Sequence, residues 1–123
     1  MSVKTVAAVG LGLGLALAAV AAPMELEARN TGDFTYYYTG LGACGQTNHD
    51  GELVAAVGHG LYDRVHPCGR NIRLHYKGRS VVARVVDRCA GCNDNSVDLS
   101  PAAFRAVVGD LGLGRVKGTW EFV

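Results

Sequence analysis

The order of apolar and polar positions divides the chain into an uncharged leader and a series of short, mostly extended segments. Val6–Val20 reads VAAVGLGLGLALAAV without a single charge. Further on, Phe34–Thr39 is aromatic and β-branched, which predicts a strand, and Gly40–Gly45 predicts a tight loop. Leu53–Val57 is a short apolar run that suits either a strand or a buried helical turn, and Gly58–Arg70 reads as loop. Asn71–Tyr76 alternates Ile72, Leu74 and Tyr76 with Arg73 and His75, the pattern of a half-buried strand. Lys77-Gly78 predicts a hairpin turn into Ser80–Val86, where Val81, Val82, Val85 and Val86 make a strand that is nearly all core. Ser100 is a good N-cap and Pro101 suits a first helical position, so a short helix is expected from there to Gly109. Val116–Val123 predicts a last strand. Five or six strands, one short helix and no repeat fit a small, mainly β, barrel.

Lys4, the uncharged run and the small residues Ala19–Ala22 together read as a secretory signal peptide over residues 1–22. The run is short and rich in Gly and Ala, whereas a membrane anchor needs about 20 strongly apolar residues. Residues 23–30 (PMELEARN) lack a strand pattern and are expected to form a flexible tail or pro-segment, which leaves residues 31–123 as one domain. Removing the leader takes Lys4 with it and leaves 11 basic and 11 acidic side chains. That balance argues against attraction to nucleic acid or to an anionic membrane surface. Gly at 17 of 123 residues, with only three Pro, points to tight turns.

A domain this small buries a modest core, and four cysteines in a secreted chain predict two disulfides. Cys44, Cys68, Cys89 and Cys92 allow three connectivities. Cys89-Ala90-Gly91-Cys92 also has the spacing of a redox pair, but Gly91 and Asn93-Asp94-Asn95 predict a turn rather than a helix start. A zinc site would need two more ligands, and His49, His59, His66 and His75 are scattered. No metal is expected, and no cofactor, since no Rossmann-type glycine turn is present.

Three segments occur in a telling order. They are Thr35-Tyr36-Tyr37 leading into Gly42-Ala43-Cys44-Gly45; Val85-Val86-Asp87-Arg88-Cys89; and Val97-Asp98-Leu99-Ser100-Pro101-Ala102-Ala103-Phe104. They resemble the double-psi β-barrel domain of barwin, the first domain of expansins, rare-lipoprotein-A-like proteins and family-45 endoglucanases. A single barrel behind a signal peptide is most similar to the fungal loosenin-like, expansin-related proteins. The resemblance covers about residues 31–123 and implies a six-stranded double-psi β-barrel with one short helix and a shallow open groove. It also implies the pairs Cys44–Cys68 and Cys89–Cys92. Its motifs are specific for the fold and much less so for activity.

Family-45 enzymes invert, which takes an acid and a base about 6.5–9.5 Å apart. The resemblance places the acid at Asp98, between apolar Val97 and Leu99, where partial burial would raise its pKa. The alternative is that Asp98 only ties down loop backbone. The base falls at Thr39, which has no carboxylate, and non-hydrolytic expansins share that departure. Losing a base costs on the order of 10²–10⁴-fold in rate. Asp87 is expected to support Asp98 or, equally, to cap a loop, while Asp50 and Asp94 read as solvated turn residues. The resemblance turns Thr35 and Tyr37 towards the groove and Tyr36 and Tyr38 towards the core. Tyr62 is a further candidate for the groove, and Trp120 reads as core.

The expected function is that of a secreted, extracellular protein, monomeric and without a membrane contact once its leader is removed. It would bind cell-wall polysaccharide, β-glucan or chitin, and loosen it without hydrolysis. Two alternatives stay open. One is a protein-binding barrel whose target is a papain-like protease, and the other is a weak lytic enzyme of endoglucanase or transglycosylase type using a single Asp.

Overall fold

The alternating segments pair edge to edge until no edge is left. The structure, a computed structural model, describes residues 29–123. The leader and most of the expected tail therefore lie outside the described residues. Six strands appear: β1 (Asn30–Tyr36), β2 (Val54–Gly58), β3 (Asn71–Tyr76), β4 (Arg79–Cys89), β5 (Val97–Leu99) and β6 (Val116–Phe122). They close in the order β1-β5-β2-β4-β3-β6. β1 with β5 and β2 with β4 run parallel, and the other four pairings are antiparallel. Closure removes the exposed ladder edges that would otherwise recruit other chains.

Side chains from every strand fill the interior. Phe34, Ile72, Leu74, Val85, Val97, Leu99 and Trp120 are fully buried there, each contributing about 1.5–3 kcal/mol relative to exposure. The Trp120 indole N–H donates to the Asn95 carbonyl at 2.8 Å, so its polar end is satisfied. Helix α2 (Pro101–Val107) covers one side of the barrel with Ala103, Phe104 and Val107. Its N-cap is Ser100, whose Oγ accepts from the Ala103 amide at 3.1 Å.

The β3–β4 hairpin turns on Lys77 and Gly78, both with positive φ (46° and 83°), as a two-residue turn of this hand requires. Within β4 the register against β2 shifts so that Ala55 faces Val85 but Ala56 faces Asp87. This bulge skips Val86, lets two consecutive valines be buried, and sets Asp87 rather than Val86 opposite Ala56.

Several expectations are corrected. Helix α1 (His59–Val65) lies inside the segment read as loop, so the fold has two short helices and not one. Its seven residues are too few to show a helical period, and Gly58 at its N-cap offers no side chain. A 3₁₀ turn follows α2 at Leu111–Leu113. Val82 lies outside the core because it takes the outward phase of the β4 alternation. Strand β1 starts at Asn30, the last residue of the expected tail, and ends at Tyr36. Tyr38 therefore escapes the strand alternation and is 71% exposed rather than core, while Tyr36 packs on Phe104 at 5.0 Å between ring centroids.

Candidate functional site

Of the sequence-predicted residues, Thr35, Asp87 and Asp98 sit where β1, β5, β2 and β4 run side by side. In the parallel β1–β5 register Thr35 stands opposite Asp98, and the Thr35 hydroxyl donates to Asp98 Oδ1 at 2.8 Å. Ala56 on β2 lies opposite Asp98 on one side and Asp87 on the other. The two aspartates are thus two strand spacings apart, roughly 10 Å between Cα atoms.

Asp98 is half-buried, and that burial pushes its carboxyl above the ordinary range. The Thr35 hydrogen bond and the Arg115 charge pull it back, and Asp87 adds a minor push upward. Tyr37 follows β1, with its amide donating to the Leu99 carbonyl at 2.9 Å. Burial first, and then the negative charges of Asp87 and Asp98, drive its phenol well up. Tyr37 is therefore a neutral hydroxyl near both carboxylates. A cavity of about 500 Å³ opens beside Asp98 and is lined by Asp33, Thr35, Asn93, Arg115 and the Cys89–Cys92 disulfide.

Asp87 is committed to a loop. Its Oδ1 accepts from the Ala43 and Arg88 amides, both at 2.8 Å. The Gly42–Cys44 segment lies on it closely, and a Cβ at Gly42 would come within 2.6 Å of the Val86 carbonyl. The loop is locked further by the Cys44–Cys68 disulfide. Tyr62, on α1, rests against that disulfide with its hydroxyl 3.3 Å from Cys68 Sγ, and it is not among the residues lining the Asp98 cavity.

Thr39 is engaged too. Its amide and hydroxyl both donate to Asp50 Oδ1, at 2.7 and 2.9 Å. Asp50, read as a solvated turn residue, thus holds the end of the Tyr37–Thr39 segment. Asp94 likewise pairs with Arg64 at 2.9 Å. Sequence reasoning missed Arg115, which lies in an otherwise unpatterned stretch and reaches the cavity only through the β1–β6 pairing. Among the described residues no three His, Cys, Asp or Glu side chains converge as a metal site.

Comparison with known proteins places this geometry. The papain inhibitor of Streptomyces mobaraensis is 33% identical over 111 residues, covering 83% of this chain and 77% of that protein. The solved Streptomyces papain inhibitor superposes with a TM-score of 0.69 at 31% identity, covering 78% of this chain and 94% of the other. The chain belongs to the double-psi β-barrel family.

Other members of the family widen the picture. A variant of the Clavibacter michiganensis expansin in complex with cellohexaose superposes with a TM-score of 0.69 at 28% identity, covering 78% of this chain and 50% of that one. Putative ripening-related protein 6 of Oryza sativa subsp. japonica is 42% identical over 89 residues, covering 67% of this chain. The chain spans 53% of that rice protein and 38% of a fungal relative from Arthroderma benhamiae. No family model matches the chain. Within the double-psi β-barrels this is an expansin-like barrel whose two disulfides fit an oxidising compartment. No helix among the described residues is long and apolar enough to cross a membrane.

Proposed function

We propose that this is a secreted protein that grips cell-wall polysaccharide, β-glucan or chitin, in the Asp98 trough and loosens polymer contacts without hydrolysis. The observation that carries the reading is the state of the trough's acidic groups. Asp98, pushed towards its protonated form by burial, is the one poised to donate to a glycosidic oxygen. Asp87 Oδ1 is occupied by two amides, and the base position is a threonine bound to Asp50. An acid facing a threonine at the base position, with Asp87 tied to its loop through Oδ1, can hydrogen-bond a glycan but lacks at that position the carboxylate that activates water. The Thr35 hydroxyl lines the cavity beside Asp98. The Tyr37 phenol, which is not among the cavity's lining residues, would meet a chain extending towards Asp87, and the exposed Tyr38 ring offers an apolar face to a sugar. The cellohexaose held by the expansin relative supports a β-glucan as ligand. The test is weakening of cellulose paper or chitin sheets by the parent protein and by Asp98→Asn. The variant is expected to lose most of the effect, and equal weakening would remove Asp98 from the mechanism.

A second reading is favoured by one observation: the chain covers 77% of a papain inhibitor at 33% identity. In that reading the barrel's loops, and not Asp98, would block a papain-like protease. Inhibition of papain that is equal for parent and Asp98→Asn would support it.

A further inference from the structure

The domain's small net charge conceals an uneven distribution. On β6 the outward positions read Lys117, Thr119 and Glu121, and Arg115 precedes the strand. Asp33 of β1 lies opposite Lys117 in the register. Its carboxylate bridges two cations, with Lys117 Nζ at 3.0 Å from Oδ1 and Arg115 Nη1 at 2.8 Å from Oδ2. Asp33 and Arg115 line the Asp98 cavity. Lys117 lines a second cavity of about 450 Å³ at the β3–β4 hairpin, together with Arg29, His75, Lys77 and Arg79. The Lys117–Asp33–Arg115 cluster is therefore the common rim of the two cavities.

Along this rim five cations, Arg29, Lys77, Arg79, Arg115 and Lys117, face two carboxylates, Asp33 and Glu121. Glu121 is shared between Arg29 at 3.5 Å and His75 at 2.9 Å. Among the described residues no carboxylate lies within 4.0 Å of Lys77 or Arg79. Continuing the register, the hairpin residue Lys77 lies across from Lys117 at one end of β6 and Arg29 lies beside Glu121 at the other, so the strip spans four strand steps, roughly 14 Å. That length suits an oligomer rather than a single small anion.

We propose that this strip is a second binding site, for the carboxylates of an acidic, uronate-bearing polysaccharide that continues out of the Asp98 trough. The proposal rests on the reading of the trough as a glycan site. The chemistry favours a sparsely charged glycan over a densely charged polymer. Asp33 and Glu121 interrupt the row of cations and would repel closely spaced phosphates. The adjoining cavity offers Thr35, Asn93 and Asp98 to sugar hydroxyls.

The test measures binding of the full protein to polygalacturonate, to its fully methyl-esterified form, to duplex DNA and to insoluble cellulose and chitin. The proteins compared are the parent and a Lys77→Gln/Arg79→Gln double variant, both exposed positions whose replacement leaves the core untouched. Polygalacturonate is expected to bind about tenfold more tightly than its ester at low salt. That preference should vanish between about 0.05 M and about 0.5 M NaCl as the Debye length shrinks. The double variant should lose about three- to tenfold for polygalacturonate and nothing for cellulose or chitin. Equal binding of acid and ester, an unaffected double variant, or DNA held as tightly as polygalacturonate would overturn the proposal. Binding to cellulose or chitin alone sinks the strip and leaves the trough standing. Binding to polygalacturonate alone does the reverse, and binding to neither overturns both.

Discussion

At the scale of single residues, Asp98 is held between opposing influences, and its titration exposes them. Burial raises its pKa above 3.8 despite the donor from Thr35. Ionised Asp98 therefore costs the fold stability. That cost is full above the folded pKa, is shed as pH falls from there towards 3.8, and is gone below it. Asp98→Asn is accordingly expected to be more stable than the parent at neutral pH, with the difference closing below about pH 4 in urea titrations; a pH-independent difference would contradict this. Asp33 has the opposite sign. The hydrogen bonds from Lys117 and Arg115 lower its pKa, so its contribution is present above 3.8 and is lost as pH falls through the lower folded value. Thr35→Val removes the donor from Asp98 and should move the Asp98 carboxyl further up, read by NMR of its carboxyl carbon. An unmoved titration would show that the 2.8 Å contact does not act on it.

At the scale of elements, Ser100 joins three pieces of chain. Its Oγ accepts from the Ala103 amide and the Val54 amide and donates to the Glu52 carbonyl at 2.6 Å. Ser100→Ala is expected to cost about 2 kcal/mol by denaturant unfolding, more than a cap alone, and a cost near zero would mean that water replaces all three bonds. This element was legible because Ser100-Pro101 is a local signal. The β3–β4 hairpin was legible for the same reason: Asn71–Tyr76 alternates cleanly, and Lys77-Gly78 tolerates positive φ. Helix α1 was not, because its position depends on the Cys44–Cys68 disulfide and on partial packing of Leu61 and Tyr62 against the core. Nor was the exposure of Tyr38, since nothing in three consecutive tyrosines marks Tyr36 as the end of the ladder. The β4 bulge was hidden as well: four valines read as continuous core, whereas alternation turns Val82 outward and the register shift after Val85 lets Val86 be buried beside it.

At the scale of the whole molecule, the barrel is closed by pairings distant in sequence. Asn30 meets Trp120 and Phe34 meets Val97, so closing the barrel depends on contacts that no local signal encodes. The Cys44–Cys68 bond spans 24 residues and ties the loop over Asp87 to the segment after α1. A Cys44→Ala/Cys68→Ala variant is expected to lose about 3 kcal/mol in denaturant unfolding, and an unchanged midpoint would contradict that role. The site is assembled at the same scale. Thr35, Asp87 and Asp98 come from three strands that meet only in the closed barrel. Their residue types were readable from motifs, and loop capping was one of the two roles open to Asp87, but which amides it holds and the capture of Thr39 by Asp50 appeared only with the fold. The most direct measurement is soluble sugar released from cellulose, β-glucan and chitin while the same samples are tested for mechanical weakening. Weakening with release no greater than that from Asp98→Asn or buffer is the predicted result. Steady accumulation of oligosaccharide by the parent would contradict it.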